Sequence, residues 1–174
     1  MKKRFNTTGL CVPEKHYMAD ISQKLAQVIQ MIDYGDYFTI NRPRQYGKTT
    51  MLSQIETKLQ EKYRIISMSF EGIGDAVFQN EQSFAITFSE MVLSELQIEP
   101  KLSAELTGLR PLSQWITRLC RHIEKPIILL IDEVDKSSNN QLFLHFLGML
   151  RDKYLLQQKN KDSAFHSVIL AGVH

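Results

Sequence analysis

The chain has 174 residues, of which 43% are hydrophobic and 23% are charged. This length is typical of one domain with a sizeable core, and the composition is ordinary for a globular protein. The formal net charge of +2 is too small to favour a nucleic acid or an anionic membrane as a partner.

The N-terminal segment is basic at Lys2, Lys3 and Arg4, but mostly polar residues follow instead of the apolar run of a signal peptide. No segment of the chain approaches the roughly 20 apolar residues that span a bilayer. The two cysteines, Cys11 and Cys120, have no metal-type spacing and are too few for a disulfide scaffold, so we expect reduced thiols. Together these features predict a cytoplasmic protein without a membrane partner.

The first predicted helix carries apolar residues at helical spacing, and Asp20 is placed to cap its start. These apolar residues are Ile21, Leu25, Val28, Ile29 and Ile32. A short β-rich run, residues 37–40, follows and leads into the segment Gly47-Lys48-Thr49-Thr50. Apolar residues then return to helical spacing at Met51, Leu52, Ile55 and Leu59. The predicted order around this segment is therefore strand, loop, helix.

The second half of the chain alternates predicted strands and helices. Strands are predicted at residues 64–70, 127–131 and 167–171, and Gly72 and Gly74 mark a loop. Helices are predicted around residues 84–96, 112–123 and 142–154, with their aromatic residues in the core. The run at 127–131 is continuously apolar, as in a strand buried on both faces. This alternation predicts an α/β fold with a mostly parallel sheet between two layers of helices.

A phosphate-binding loop needs inward-pointing N–H groups, a cation for the outer phosphates and a hydroxyl for Mg²⁺. The segment from Gly47 to Thr50 supplies these groups between a predicted strand and a predicted helix. Gly47 lets the backbone approach a phosphate, Lys48 would reach the β- and γ-phosphates, and Thr49 would hold Mg²⁺. Thr50, within the following helix, is placed to touch the α-phosphate.

One position departs from the standard phosphate-loop pattern, because Arg42 stands where that pattern has its first glycine. Pro43 has no N–H group and favours an extended backbone at Arg42. The phosphate contacts are therefore expected to run from about Gln45 to Thr50, with Arg44 adding positive charge. The alternative interpretation is a chance Gly-Lys-Thr triplet at a helix start, with Arg42 and Arg44 as surface residues.

Two acidic residues, Asp132 and Glu133, directly follow the buried strand predicted at 127–131. Ligands of open α/β sheets bind outside the carboxyl ends of the strands, so these carboxylates should lie beside the phosphate-binding segment. Asp132 would contact Mg²⁺ through water, and Glu133 would orient and deprotonate the attacking water. The alternative is an acidic turn without catalytic importance. For Asp135, a role in ordering magnesium-bound water and a surface position are both left open.

With these motifs the sequence resembles the AAA-like ATPases that carry an additional catalytic glutamate. It is similar to bacterial AAA-like proteins whose phosphate loop reads Arg-Pro-Arg-x-x-Gly-Lys-Ser/Thr, here Arg42-Pro43-Arg44-Gln45-Tyr46-Gly47-Lys48-Thr49. The likeness runs from about Phe5 to His174. It implies a P-loop NTPase three-layer sandwich of strand order 5-1-4-3-2, formed by residues 1–174 as one nucleotide-binding domain. In that order the strand at 167–171 lies between the strand before the phosphate loop and the strand before Asp132.

The resemblance also implies further ligand contacts. His16 and Tyr17 lie in the stretch that is near the adenine in this family, although an aromatic residue before a helix also serves as a packing staple. The family has a polar sensor residue after the fourth strand, where His174 stands, although a terminal residue often has no fixed role. No fifth strand, helical lid, second sensor or arginine finger follows. We therefore expect a truncated chain, or a protein partner that supplies the rest.

The leading functional hypothesis is hydrolysis of ATP, with Mg²⁺, to drive a conformational change in a partner or in a further region of the protein. The alternative is a slow nucleotide-gated switch or interaction module, which the missing lid and arginine finger favour. A small-molecule kinase is disfavoured because it gives no role to Glu133. The weak net charge does not support nucleic-acid binding, and self-association is left open.

Overall fold

The computed structural model describes residues 2–3, 14–15, 21–41, 48–99, 105–137 and 140–172. Its helices are α1 (Ser22–Asp33), α2 (Lys48–Leu59), α3 (Glu81–Leu96), α4 (Leu109–His122) and α5 (Gln141–Gln158). Its strands are β1 (Tyr37–Asn41), β2 (Arg64–Ser69), β3 (Ile127–Asp132) and β4 (Ser167–Gly172). Two short 3₁₀ helices, Asp75–Gln79 and Asp135–Ser137, follow β2 and β3. None of the helices in these ranges has the length and apolar character needed to cross a membrane.

The strands form one parallel sheet, in the order β1-β4-β3-β2. β4 lies between β1 and β3, with Tyr37 opposite Val168 on one side and Ile128 opposite Ser167 on the other. Parallel neighbours need long crossovers, and the helices between successive strands provide them. The predictions of an α/β sandwich and of the 1-4-3-2 part of the strand order are therefore confirmed.

β3 shows how the sheet divides the core into two layers. Every residue from Ile127 to Ile131 is at most 2% exposed, and successive side chains of a strand point to opposite faces. Ile127, Leu129 and Ile131 join the core formed with α3, α4 and α5. Ile128 and Leu130 join the core formed with α1 and α2. Burial on both faces is what the continuously apolar run predicted.

The larger core is centred on phenylalanine rings. Neighbouring ring centroids lie 4.9 to 6.4 Å apart, the range in which aromatic pairs attract each other. The rings belong to Phe70, Phe78, Phe84, Phe88, Phe143 and Phe146. The expectation that the aromatic residues of the predicted helices form core is confirmed.

Two local details differ from the sequence-based expectations. The segment marked as a loop by Gly72 and Gly74 continues into the 3₁₀ helix Asp75–Gln79, because an apolar side chain within it packs into the core. The N-cap position of α1 is Ile21, which makes no side-chain cap hydrogen bond. Asp20, the predicted cap, lies outside the described residues.

A buried ion pair joins α4, α5 and the segment that leads into β4. Lys153 is 2% exposed, and its Nζ donates to Asp162 Oδ2 at 2.9 Å and to Thr117 Oγ1 at 2.5 Å. Thr117 Oγ1 and the Ser163 N–H both donate to Asp162 Oδ1 at 2.7 Å. Desolvation by burial raises the pKa of Asp162, but the hydrogen bonds from Lys153, Thr117 and Ser163 outweigh it and hold the pKa below its usual value. The segment that leads into β4 is thereby held to α4 and α5 by an ion pair and hydrogen bonds.

Candidate functional site

The candidate site lies at the carboxyl edge of the sheet, where the parallel strands end together. β1 ends at Asn41, β3 at Asp132 and β4 at Gly172. Residues 42–47, the first part of the predicted phosphate loop, lie outside the described residues. α2 begins directly after them at Lys48. The strand and the helix that were predicted to flank this loop are therefore both present.

The start of α2 has the electrostatic character of an anion site. Lys48 and Thr49, the predicted phosphate and magnesium residues, are its first two residues. The first N–H groups of a helix lack partners within the helix, and the helix dipole adds positive potential there. No acidic residue in this first turn offsets that potential. Thr50, the third residue, is only 7% exposed, and its contact with an α-phosphate stays a prediction.

β3 brings Asp132 and Glu133 to the same edge. Asp132 Oδ1 accepts a hydrogen bond from the Glu133 N–H at 2.8 Å. Glu133 has a φ of +56°, a left-handed conformation that costs roughly 1–2 kcal/mol in a residue with a Cβ atom. The next residue, Val134, donates its N–H to Ala171 O on β4 at 3.2 Å. The sharp turn at Glu133 is thus held between the ends of two neighbouring strands, as strained residues at functional sites commonly are.

The end of β4 lies in van der Waals contact with the loop that follows Glu133. A Cβ atom added to Gly172 would lie 3.4 Å from Val134 Cγ2 and 3.5 Å from Asp135 N. Asp135 begins the 3₁₀ helix there and is half-buried, not fully exposed. These are ordinary van der Waals distances, so the space does not require a glycine at Gly172, to which sequence reasoning assigned no role.

The strand order sets the distance between the two halves of the site. Neighbouring strands lie about 4.8 Å apart, so the ends of β1 and β3, with β4 between them, are separated by roughly 10 Å. The start of α2 and the Asp132-Glu133 pair therefore share one edge. The other predicted ligand contacts lie outside the described residues and stay predictions: Arg44, Gln45, Tyr46, Gly47, His16, Tyr17 and His174.

The oxygen-bearing side chains predicted at this edge suit a metal ion that binds together with phosphates. Within the described ranges, no group of three or more His, Cys, Asp and Glu residues could hold a metal ion by itself. Mg²⁺ in nucleotide sites is usually bound through one or two protein oxygens together with phosphates and waters. The Thr49 hydroxyl and the Asp132 carboxylate are oxygen ligands of this kind, so the residues fit such an ion.

The sequence model of a family described as AAA-like domain matches residues 13–174. This range includes every strand and helix described above. The search of curated proteins found no match.

Proposed function

Because the chain belongs to the AAA-like domain family, we propose that it binds ATP with Mg²⁺ and hydrolyses the ATP to drive a conformational change. Membership of this family indicates a nucleotide-binding function of ATPase type. The observation that supports the finer proposal is that two elements belong to the same edge of the sheet. These elements are the helix that starts at Lys48 and the strand that ends at Asp132, directly before Glu133.

The first part of the proposal concerns the phosphates. The N–H groups from about Gln45 onward would cradle them, and the Lys48 ammonium would neutralise charge on the β- and γ-phosphates. The positive end of the α2 dipole, with no acid in its first turn, supports this placement. His16 and Tyr17 would contact the adenine, as the family resemblance implies.

The second part concerns hydrolysis. Thr49 and Asp132 would hold Mg²⁺, and the ion would neutralise charge on the phosphates. Glu133 would accept the proton of the attacking water. The left-handed backbone at Glu133 supports this role, because it makes a sharp turn that fixes where the side chain begins. The next residue, Val134, holds that turn by donating its N–H to Ala171 O on β4. Residues beyond β4, including His174, would complete the site or transmit the change to a partner.

Replacing Lys48 with alanine should weaken ATP binding by roughly 10- to 150-fold. Charge-assisted hydrogen bonds contribute about 1.5–3 kcal/mol, and each 1.4 kcal/mol changes a dissociation constant tenfold. Isothermal titration calorimetry with a non-hydrolysable ATP analogue and Mg²⁺ measures the change directly.

Lys58 provides a matched control, because it lies exposed in the last turn of the same helix. Lys58→Ala removes the same charge from α2 and should leave the dissociation constant within about twofold, since the helix-terminal effect falls off within one turn. Equal affinities of the Lys48→Ala and unmodified chains would contradict the proposed phosphate site.

A further inference from the structure

One stretch of the chain is strongly acidic, although the whole chain has a net charge of +2. Residues 65–100, which include most of β2 and all of α3, contain no lysine, arginine or histidine. Their six acidic residues are all exposed: Glu71, Asp75, Glu81, Glu90, Glu95 and Glu99. All the lysine, arginine and histidine residues of the chain therefore lie outside residues 65–100.

The strand in this region has an open edge. β2 is the last strand of the sheet and pairs only with β3 among the described residues. The even-numbered residues of β2 direct their backbone N–H and C=O groups toward β3. The hydrogen bonds from Arg64 N to Pro126 O and from Phe70 N to Asp132 O show this phase. Strand geometry alternates, so the N–H and C=O groups of Ile65, Ser67 and Ser69 point toward the open edge.

Two grooves flank this open edge. The groove on the α2 side, of about 270 Å³, is lined by residues that include Glu56, Ser67 and Glu95. The groove on the α3 side, of about 410 Å³, is lined by residues that include Ser67, Glu90 and Glu95. Since Ser67 and Glu95 line both, the two grooves meet along the strand. A segment added beside β2 would have side-chain space on both faces.

The grooves are acidic and almost without compensating charge. Among the described residues that line them, the one basic side chain is Arg64. Its Nη2 already donates to the carbonyl oxygen of Leu96 at 2.8 Å. No salt bridge between described residues involves Glu56, Glu90 or Glu95. A partner that supplies positive charge would therefore find three carboxylates to pair with.

The edge lacks the usual protection against strand addition. Natural edge strands carry lysines, prolines or bulges, whereas β2 contains no proline or lysine and keeps an unbroken register with β3 from Arg64 to Ser69. The charge around this edge is mainly negative, from Glu56, Glu90 and Glu95, with Arg64 at the start of the strand. That charge repels acidic strands and the same edge of a second copy, and it attracts basic ones.

We propose that the β2 edge binds an extended basic segment of a partner protein as an added strand. The backbone of that segment would pair with Ile65, Ser67 and Ser69, and its lysine or arginine side chains would lie beside Glu90 and Glu95. Backbone pairing supplies the affinity, and the acidic grooves select the charge of the partner. The site is separate from the proposed nucleotide site and needs no ATP.

The test uses a labelled peptide of alternating lysine and valine, six residues long, with the full chain and without nucleotide. Fluorescence anisotropy should show saturable binding that weakens as salt is raised. A peptide in which every lysine is replaced by glutamate should not bind. Absence of binding of the lysine peptide at millimolar concentration, or equal binding of the glutamate peptide, would overturn the proposal.

Charge-matched variants test the location. Glu90→Gln combined with Glu95→Gln should weaken peptide binding about tenfold, since two exposed charge pairs are removed. The control combines Glu124→Gln with Asp152→Asn, two exposed acids on other elements, and should leave binding within about twofold. Equal losses in both double variants would overturn the proposal, because they would indicate a response to net charge alone.

Backbone pairing is tested separately. Ser67→Pro removes an N–H that points away from β3 and should abolish binding. If circular dichroism shows that this variant does not fold, the unmodified chain is tested instead with a lysine-valine peptide whose alternate backbone amides are N-methylated. This peptide should not bind, and unchanged binding would overturn strand addition.

A concentration-dependent dimer that is lost in Glu90→Gln/Glu95→Gln would identify a second copy as the occupant and would also contradict the proposal.

Discussion

Replacing Glu133 with glutamine should lower the rate of ATP hydrolysis by about 10²–10⁴-fold, the usual contribution of a general base, while ATP stays bound. Glutamine keeps the length of the side chain but cannot take up the proton of water. Both residues carry a Cβ atom, so the left-handed backbone at this position costs a similar amount in each. Steady-state phosphate release and equilibrium binding of ATP, measured on the same preparations, separate turnover from affinity.

Glu71→Gln is the matched control, because Glu71 is an exposed carboxylate that follows β2 at the same edge of the sheet. It should leave both quantities within about twofold. Turnover that is unchanged in Glu133→Gln would remove this residue from the mechanism. Loss of ATP affinity without a change in maximal turnover would show that the carboxylate serves binding and not proton transfer.

Replacing Asp162 with asparagine should lower the free energy of unfolding by about 3–5 kcal/mol. The change leaves the Lys153 ammonium, which is 2% exposed, without its carboxylate partner. A buried charge that loses its partner keeps its full desolvation cost. Urea unfolding followed by circular dichroism measures the change, provided that the slope of the transition is the same in both proteins.

A second ion pair of the same length provides the control. Lys62 Nζ lies 2.9 Å from Asp33 Oδ1, but these side chains are 64% and 39% exposed. Asp33→Asn should therefore cost below about 1 kcal/mol, since water screens an exposed pair and the asparagine Oδ1 can still accept the hydrogen bond from the Tyr63 hydroxyl. Equal losses in the two variants would show that burial does not set the strength of the Lys153–Asp162 pair.

The same pair has a defined dependence on pH. The folded-state pKa of Asp162 is lower than its ordinary value, so the unfolded chain binds more protons in acid. The stabilisation is fully present above the unfolded pKa of about 3.9 and is lost as the pH falls through the folded value. The difference between the unmodified chain and Asp162→Asn should therefore shrink as the pH is lowered below about 4. A difference that grows in acid would contradict the direction of this pKa shift.

The spacing of apolar residues predicted most of the fold, because positions that are buried must be apolar. The run at 127–131 had to be apolar at every position, since β3 is covered on both faces. Helical stripes likewise located α3, α4 and α5 to within a few residues. The 3₁₀ helix Asp75–Gln79 was missed because one turn is too short to show a period.

The sequence predicted which chemical groups the candidate site contains, but it did not predict their geometry. A glycine, lysine and threonine before one helix, and paired acids after one strand, specify the groups that a nucleotide site needs. They do not specify the left-handed backbone at Glu133 or the contact of its loop with Gly172. Both depend on β4, which lies more than thirty residues further along the chain.

The sequence by itself determined which segments form the strands and α-helices described above, and it predicted the family and the chemistry of the carboxyl edge. Each of these follows from residues that are close in the chain. Only the tertiary structure decided that Lys153 is a buried cation beside Asp162, and that grooves lined by Glu56, Glu90 and Glu95 flank the edge of β2. The first feature arises where α4 packs against α5, and the second where α2 and α3 flank β2; local sequence patterns encode neither. The physical reason is that desolvation and strand pairing depend on every neighbour a residue acquires on folding.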